Sequence, residues 1–248
     1  MTACVKLPTR RHVDVTELTE RYPRLFHLTE AGSAGAISTH GLLPAQEIVV
    51  TSGLDPDEQA AILSRPRPRT LSIEHPVLGR PTLRDQTPLR AQILDQVLTD
   101  MTAQQWLSAL NERVFFWLHP QRLGQLLNAR RNRGRPHDVL VIDTASLVGA
   151  HHRRIQLSAI NSGATLYPNA RERGTRTFQT IEDYPFAERL HRCTPQAAVV
   201  ELAVPGAVRD IADHIVDLYR VAVPTQSPAR TRHRSGITRP SAGEPDTA

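Results

Sequence analysis

The sequence predicts an α+β domain whose sheet is mostly antiparallel or split. Helical and strand-like patterns alternate irregularly along the chain, whereas a parallel doubly wound sheet requires a regular strand–helix–strand order. The clearest strands are two continuous apolar runs at 114–118 and 139–143, which predict buried central strands. Further strands are expected at 155–160, 198–204 and 214–223.

The first half of the chain carries mainly helical signals after one early strand. The alternating segment 24–29 predicts that strand, and 31–40 predicts a helix that a glycine terminates. The acidic, proline-containing segment 55–58 predicts a helix start, because acids stabilise the positive end of the helix dipole. The Thr-Pro pair at 87–88 and Thr102 predict the starts of two more helices.

The length and composition favour one large domain followed by a tail. A single domain can bury a sizeable core in most of the 248 residues. From Thr225 onward the chain is rich in Pro, Ser, Thr, Gly and Arg, and Ile237 is its only large aliphatic residue. Such a segment buries too little apolar surface to offset its ordering entropy. We therefore expect a domain at 1–223 and a disordered, arginine-bearing tail at 224–248.

Charge, cysteine content and hydropathy restrict the class of protein. The net charge is +5 and Lys6 is the only lysine, so arginine supplies nearly all the positive charge. Codon bias explains the use of arginine in place of lysine, and so does phosphate binding. The two explanations are compatible. Cys4 and Cys193 are far apart, which argues against a disulfide framework. Since no signal peptide or membrane-spanning run is evident, we expect a cytoplasmic protein without a membrane partner.

A run of arginines between the two clearest strands suggests nucleic-acid binding. Arg130, Arg131 and Arg133, with Arg122 and Arg135 nearby, form this run, and residues 130–135 are called the arginine loop below. Two interpretations remain open: a solvated loop, or a phosphate-contacting surface.

The histidines do not suggest a metal site. The pairs at 151–152 and 191–193 (the second with a cysteine) lack clear third and fourth ligands, so no metal is expected.

Four positions are unusual for a purely structural scaffold. His27 lies inside the first strand, Arg113 directly precedes an aromatic strand, and the polar loop 161–163 follows another strand. Glu201 interrupts the apolar run 198–204. One interpretation is a half-exposed strand with Glu201 in water, and the other is a carboxylate at a cleft.

These positions carry a resemblance to ADP-ribosyltransferases, closest to the DNA-modifying DarT toxins. F-H-L-T at 26–29 and I-x-x-x-G-L at 37–42 are similar to the opening of those enzymes. E-R-V-F-F-W-L-H-P at 112–120 resembles their aromatic strand and proline turn. Q-A-A-V-V-E-L-A-V at 196–204 resembles the late strand that carries their catalytic glutamate, here Glu201. The resemblance follows the order of elements over residues 24–223, and the region between Leu43 and Thr102 is an unmatched insertion.

The resemblance implies a fold and a chemistry. The expected fold is the split, mostly antiparallel sheet of ADP-ribosyltransferases with flanking helices. NAD is the implied co-substrate, with Glu201 as the catalytic carboxylate and His27 with Thr29 binding the adenosine ribose. Arg113 is expected to contact the pyrophosphate, and Trp117 or Phe115 to stack on nicotinamide, although burial in the core accounts equally well for these aromatic residues.

The resemblance also implies partners and leaves alternatives open. The expected acceptor is nucleic acid or another acidic target, and a toxin-like bacterial enzyme implies an antitoxin or immunity partner. The alternatives are a non-catalytic nucleic-acid-binding protein, an NAD hydrolase, and an NAD-dependent RNA 2′-phosphotransferase. The last of these requires several arginines around a phosphate, for which no clear matching set is found.

Overall fold

The structure, a computed structural model, describes residues 15–224. The expected tail from Thr225 onward lies outside the described residues. Within them the helices are α1 (Val15–Arg21), α2 (Ala34–His40), α3 (Ala45–Val50), α4 (Pro56–Leu63), α5 (Ala91–Val97), α6 (Ala103–Asn111), α7 (Pro120–Leu127), α8 (Thr144–His151), α9 (Phe186–Arg192) and α10 (Pro195–Ala198). The strands are β1 (Arg24–Glu30), β2 (Leu71–Ser72), β3 (Thr82–Leu83), β4 (Arg113–Trp117), β5 (Pro136–Asp143), β6 (Gln156–Ser158), β7 (Gln179–Thr180), β8 (Glu201–Pro205) and β9 (Ile215–Ala222). Short 3₁₀ turns occupy Thr175–Thr177 and Ile211–His214.

Seven strands form one antiparallel sheet, which confirms the predicted α+β class. The strand order is β7-β6-β8-β4-β1-β5-β9, and β2 pairs separately with β3. Every pairing between these named strands is antiparallel. As predicted, β4 and β5 are inner strands.

The sheet is unevenly joined at its centre. β1 pairs with β5 along its whole length, over seven register pairs from Arg24 to Glu30. By contrast, the register that joins β1 to β4 contains one pair, Phe26 opposite Trp117. β4 then pairs with β8 over five residues, and Trp117 lies opposite Glu201.

Both faces of the sheet are packed, but unequally. The largest hydrophobic cluster lies on the face covered by α1, α8 and α9, which contribute Leu18, Leu147 and Phe186. Smaller clusters on the other face surround Trp106 of α6 and Leu123 of α7. Successive residues of a strand point to opposite faces, so Leu202 packs in the large cluster and Ala203 in the cluster around Trp106.

The insertion between Leu43 and Thr102 has its own small core. It contains α3, α4, α5 and the two-stranded sheet, and Val49, Ile73 and Leu83 are its buried centre. As predicted, a helix begins at 55–58; it is α4, and Asp55 caps it through a capping box. Among the described residues, no helix combines the length and the apolarity needed to cross a membrane.

Four predicted element boundaries are wrong. The Thr-Pro pair at 87–88 does not begin a helix, because Asp85 binds the Thr87 hydroxyl and the Pro88 carbonyl accepts the Thr165 N–H; α5 begins at Ala91. The strand expected at 198–204 begins only at Glu201, because the preceding proline-led segment forms α10. The strand expected at 155–160 is limited to β6, and α2 begins three residues later than expected.

Gly41 makes the turn that connects α2 to the insertion. Its φ is +89°, a conformation that side-chain-bearing residues rarely adopt. A Cβ atom at this position would lie 2.6 Å from the Cα atom of Arg209. The close approach allows Leu42 to pair with Val208, so glycine is required both for the backbone conformation and for space.

Candidate functional site

A cavity of about 640 Å³ opens beside the boundary between β1 and β4. Strand residues of β1, β4 and β8 line one side, and the insertion supplies the opposite wall. The cavity lining includes every residue that the resemblance assigns to NAD binding and catalysis: His27, Thr29, Arg113, Phe115, Trp117 and Glu201. Residues separated by more than 170 positions in the sequence therefore meet at one site.

Glu201 is a buried carboxylate at the cavity wall. It is the first residue of β8 and is 4% exposed. The backbone N–H of Ser162, in the polar loop 161–163, donates a hydrogen bond of 3.0 Å to its Oε2 atom. Burial raises the pKa of Glu201 to about 7, although this hydrogen bond and the charge of Arg173 act in the opposite direction. The interpretation that Glu201 points into water is wrong.

His27 is held as a neutral imidazole in the middle of β1. Its Nδ1 atom lies 2.9 Å from the backbone carbonyl oxygen of Phe115. Although the ring still lines the cavity, the surrounding protein desolvates it and lowers the pKa of His27 to about 4. Since a carbonyl oxygen only accepts, Nδ1 carries the proton and Nε2 remains an acceptor. Thr29 follows two residues later on the same face of β1.

Arg113 lines the cavity but is engaged by its own chain. Its Nε atom donates to the side-chain oxygen of Gln156 at 3.0 Å, and its Nη1 atom donates to the carbonyl oxygen of Ala109 at 2.5 Å. The guanidinium carbon also lies 4.7 Å from the centre of the Phe178 ring. These contacts support the cavity wall and use the Nε–H and one Nη1–H of the guanidinium.

The aromatic strand β4 presents two half-buried rings to the cavity. Phe115 and Trp117 alternate with the fully buried Val114 and Phe116. The prediction that the whole run is buried is therefore wrong, because only one face of β4 packs against the main core. Trp117 lies beside Glu201 in the register, so an aromatic ring and a carboxylate border the same space.

Two desolvated arginines from the insertion, the buried Arg67 and the partly buried Arg84, were not predicted as site residues. Arg67 is 8% exposed, and its guanidinium donates to the carbonyl oxygen of Arg84 and to the Asn111 side-chain oxygen, both at 3.0 Å. Arg84 donates to the Asn132 side-chain oxygen, also at 3.0 Å. Burial lowers the pKa of Arg67 to about 10, with Asp85 partly offsetting it, and burial also lowers the pKa of Arg84. Among residues 15–224, no carboxylate lies within 4.0 Å of either guanidinium.

The arginine loop does not present its arginines as one free surface. Arg130 is exposed, whereas Arg131 contacts Asp85 at 3.7 Å and lines the cavity. The Nε atom of Arg133 donates to the carbonyl oxygen of Asn128 at 2.8 Å. Arg135 pairs with Glu30 at 3.0 Å. Three of the four arginines therefore hold the loop in place, and the predicted nucleic-acid contact stays a prediction.

Comparison with known proteins places the chain in a family. A family model described as "Family of unknown function (DUF7002)" matches residues 23–215. This match covers most of the chain, from the start of β1 to the start of β9, so the chain belongs to the DUF7002 family. No curated protein and no solved structure matches the chain.

Proposed function

We propose that this member of the DUF7002 family binds NAD in the cavity and transfers ADP-ribose to an acidic acceptor such as nucleic acid. The observation that carries the proposal is the buried carboxylate of Glu201, which lines the same cavity as the neutral imidazole of His27. Both residues also occupy the positions that the resemblance assigns to catalysis and to ribose binding.

The size and the lining of the cavity support a dinucleotide ligand. Its volume of about 640 Å³ lies within the range of roughly 300–1,000 Å³ that is typical of cofactor and ligand sites. Its walls combine aromatic and aliphatic surface with polar and charged side chains, several of them arginines. Such a lining suits a ligand that has rings at both ends and a charged centre.

The two desolvated arginines of the insertion support an anionic centre in that ligand. Arg67 and Arg84 are desolvated, and their hydrogen bonds go to neutral carbonyl and amide oxygens. A desolvated cation whose hydrogen bonds reach only neutral oxygens is stabilised when an anion binds. We therefore assign the pyrophosphate contact to these two arginines in place of Arg113, whose Nε and Nη1 atoms already donate to the protein.

His27 and Glu201 supply complementary groups for the two riboses. The Nε2 atom of His27 accepts a hydrogen bond from a ribose hydroxyl, because Nδ1 donates to the Phe115 carbonyl. When the nicotinamide–ribose bond breaks, its electron pair leaves with nicotinamide and positive charge develops on the ribose. The ionised Glu201 stabilises that charge and takes the proton from the attacking acceptor group. A pKa of about 7 suits a general base at neutral pH.

The weak central join of the sheet is consistent with the proposed relationship to ADP-ribosyltransferases. Their sheet is expected to be split, and here β1 and β4 share one register pair beside the cavity. His27 and Glu201 lie on the two sides of this boundary, on β1 and on β8 beyond β4.

The decisive experiment measures NAD binding and nicotinamide release by the full chain. Calorimetry with NAD and chromatography of nicotinamide are applied to the parent, Glu201→Gln and His27→Ala, with DNA, RNA or no acceptor. We expect Glu201→Gln to bind NAD and to lose turnover by at least about 100-fold, because the amide keeps the shape without the charge. His27→Ala is expected to weaken NAD binding itself.

Matched controls separate these effects from general damage. Glu182→Gln and His191→Ala change an exposed glutamate and an exposed histidine, and both are expected to behave as the parent does. If the parent fails to bind NAD at millimolar concentration, the proposal is wrong and nucleic-acid binding without catalysis becomes the better interpretation. Nicotinamide release that does not depend on any acceptor would identify an NAD hydrolase.

A further inference from the structure

A cluster of histidine and aspartate lies outside the cavity. His151 ends α8, while Asp210 and His214 lie at the two ends of the 3₁₀ segment before β9. The ligand atoms of the three side chains lie within 4.8 Å of one another. None of the three lines the cavity, so the cluster is separate from the proposed NAD site.

The distances within the cluster are close to those of a metal coordination shell. The Nε2 atom of His151 lies 2.8 Å from Oδ1 of Asp210, and the Nε2 atom of His214 lies 3.4 Å from Oδ2. Ligand atoms of a tetrahedral zinc ion, with bonds of about 2.0–2.1 Å, are separated by about 3.4 Å. The two imidazole rings stand nearly perpendicular, with centroids 5.7 Å apart. Small side-chain adjustments are therefore enough to place one ion between the three groups.

The Nε2 atom of His214 is the main observation that supports a bound cation. The residue is 5% exposed, and its Nε2 atom makes no hydrogen bond, although Oδ2 of Asp210 lies 3.4 Å away. Its Nδ1 atom lies 2.7 Å from the hydroxyl oxygen of Ser146. When Nδ1 donates to Ser146, Nε2 carries no proton, and its lone pair faces the carboxylate of Asp210. A cation between these two groups would bind both of them. A fixed partner on the second ring nitrogen is the usual arrangement of a metal-binding histidine.

We propose that His151, Asp210 and His214 bind one zinc ion that clasps α8 to the segment before β9. Two imidazole nitrogens and one carboxylate suit Zn²⁺ better than Mg²⁺ or Ca²⁺, because the last two ions take mainly oxygen ligands. The carboxylate of Asp210 is 41% exposed, so water can complete the coordination. The sequence predicts no such site, because the residues next to His151 supply no third or fourth ligand.

Zinc titration of the dialysed full chain tests the proposal. We expect one equivalent of Zn²⁺ to bind at micromolar or tighter affinity and to raise the melting temperature by several degrees. Co²⁺ is expected to give the visible absorption of a tetrahedral site, and millimolar Mg²⁺ to have no effect. His214→Ala and Asp210→Asn are expected to weaken zinc binding by at least about tenfold. Ser146→Ala, which removes an orienting partner, is expected to weaken it by about tenfold.

The neighbouring His152 supplies the matched control. His152→Ala also removes an imidazole beside α8 and is expected to keep the parent's zinc affinity. Asp210→Asn keeps the side-chain shape, so it remains informative if His214→Ala fails to fold. Failure of the parent to bind stoichiometric zinc at 100 µM, or equal affinity in the parent and Asp210→Asn, overturns the proposal.

Discussion

Replacing Glu201 by glutamine is expected to change how stability depends on pH. Burial raises the pKa of this carboxyl from 4.5 to about 7 in the folded state. That difference corresponds to about 3 kcal/mol, at about 1.4 kcal/mol per pKa unit. Because the folded protein holds this proton more tightly, its contribution to stability is complete below pH 4.5 and is lost as the pH rises to about 7. Glutamine does not titrate, so the variant lacks this loss.

The measurement is the free energy of unfolding in urea at pH 5.5 and 8.5. Between these values the parent loses about 2 kcal/mol through Glu201, because about a third of the total loss has already occurred at pH 5.5. Relative to the parent, Glu201→Gln is therefore expected to gain about 2 kcal/mol over this interval. A pH-independent penalty for the buried amide cancels in that comparison. Glu182→Gln, at an exposed position, is expected to track the parent. A variant-minus-parent difference that stays constant within about 0.5 kcal/mol would refute the desolvation of Glu201.

Three further predictions concern the cavity wall, the turn after α2 and the arginine loop. Arg67→Gln is expected to weaken NAD binding by at least tenfold in calorimetry, whereas Arg69→Gln, at an exposed position of the same segment, leaves it unchanged. Gly41→Ala is expected to lower the free energy of unfolding by about 3 kcal/mol and Gly53→Ala by about 1 kcal/mol, because both have positive φ but only Gly41 meets backbone atoms. Replacing Arg130, Arg131 and Arg133 by alanine is expected to reduce nucleic-acid affinity equally across sequences and to flatten its salt dependence. Absence of nucleic-acid binding by the parent would remove the last of these.

Local patterns were sufficient to predict the fold class and to identify the polar positions at the cavity. Apolar runs indicated the inner strands β4 and β5, and irregular alternation excluded a parallel sheet. His27 and Glu201 were conspicuous because each interrupts an apolar strand, and such interruptions mark either a solvent face or a cleft. The burial that decides between these two arises from tertiary packing, which periodicity does not report.

The unpredicted residues depend on contacts between distant segments. Arg67 and Arg84 lie near two-residue strands, which are too short to produce a periodic signal, and packing against α6 and β1 desolvates the two side chains. His151 and Asp210 are 59 residues apart, so no local spacing predicts that they meet. The Thr87 hydroxyl donates a hydrogen bond to Asp85, and this contact prevents the helix start that the Thr-Pro pair favours.

Ionisation of Glu201 destabilises the fold, and the proposed chemistry requires the same ionisation. A glutamate left in water would be ionised at every physiological pH and would cost no stability, but it would be a weaker base. At the cavity wall, burial of Glu201 lowers stability above its pKa of about 7 and retains a basic carboxylate beside the proposed ribose. Nicotinamide release, measured as kcat/KM, is therefore expected to rise about tenfold per pH unit below pH 7 and to level off above it. The midpoint should coincide with the upper limit of the pH range in which the parent loses stability. A stability loss without a matching activity rise would leave Glu201 a buried carboxyl and remove it from the reaction.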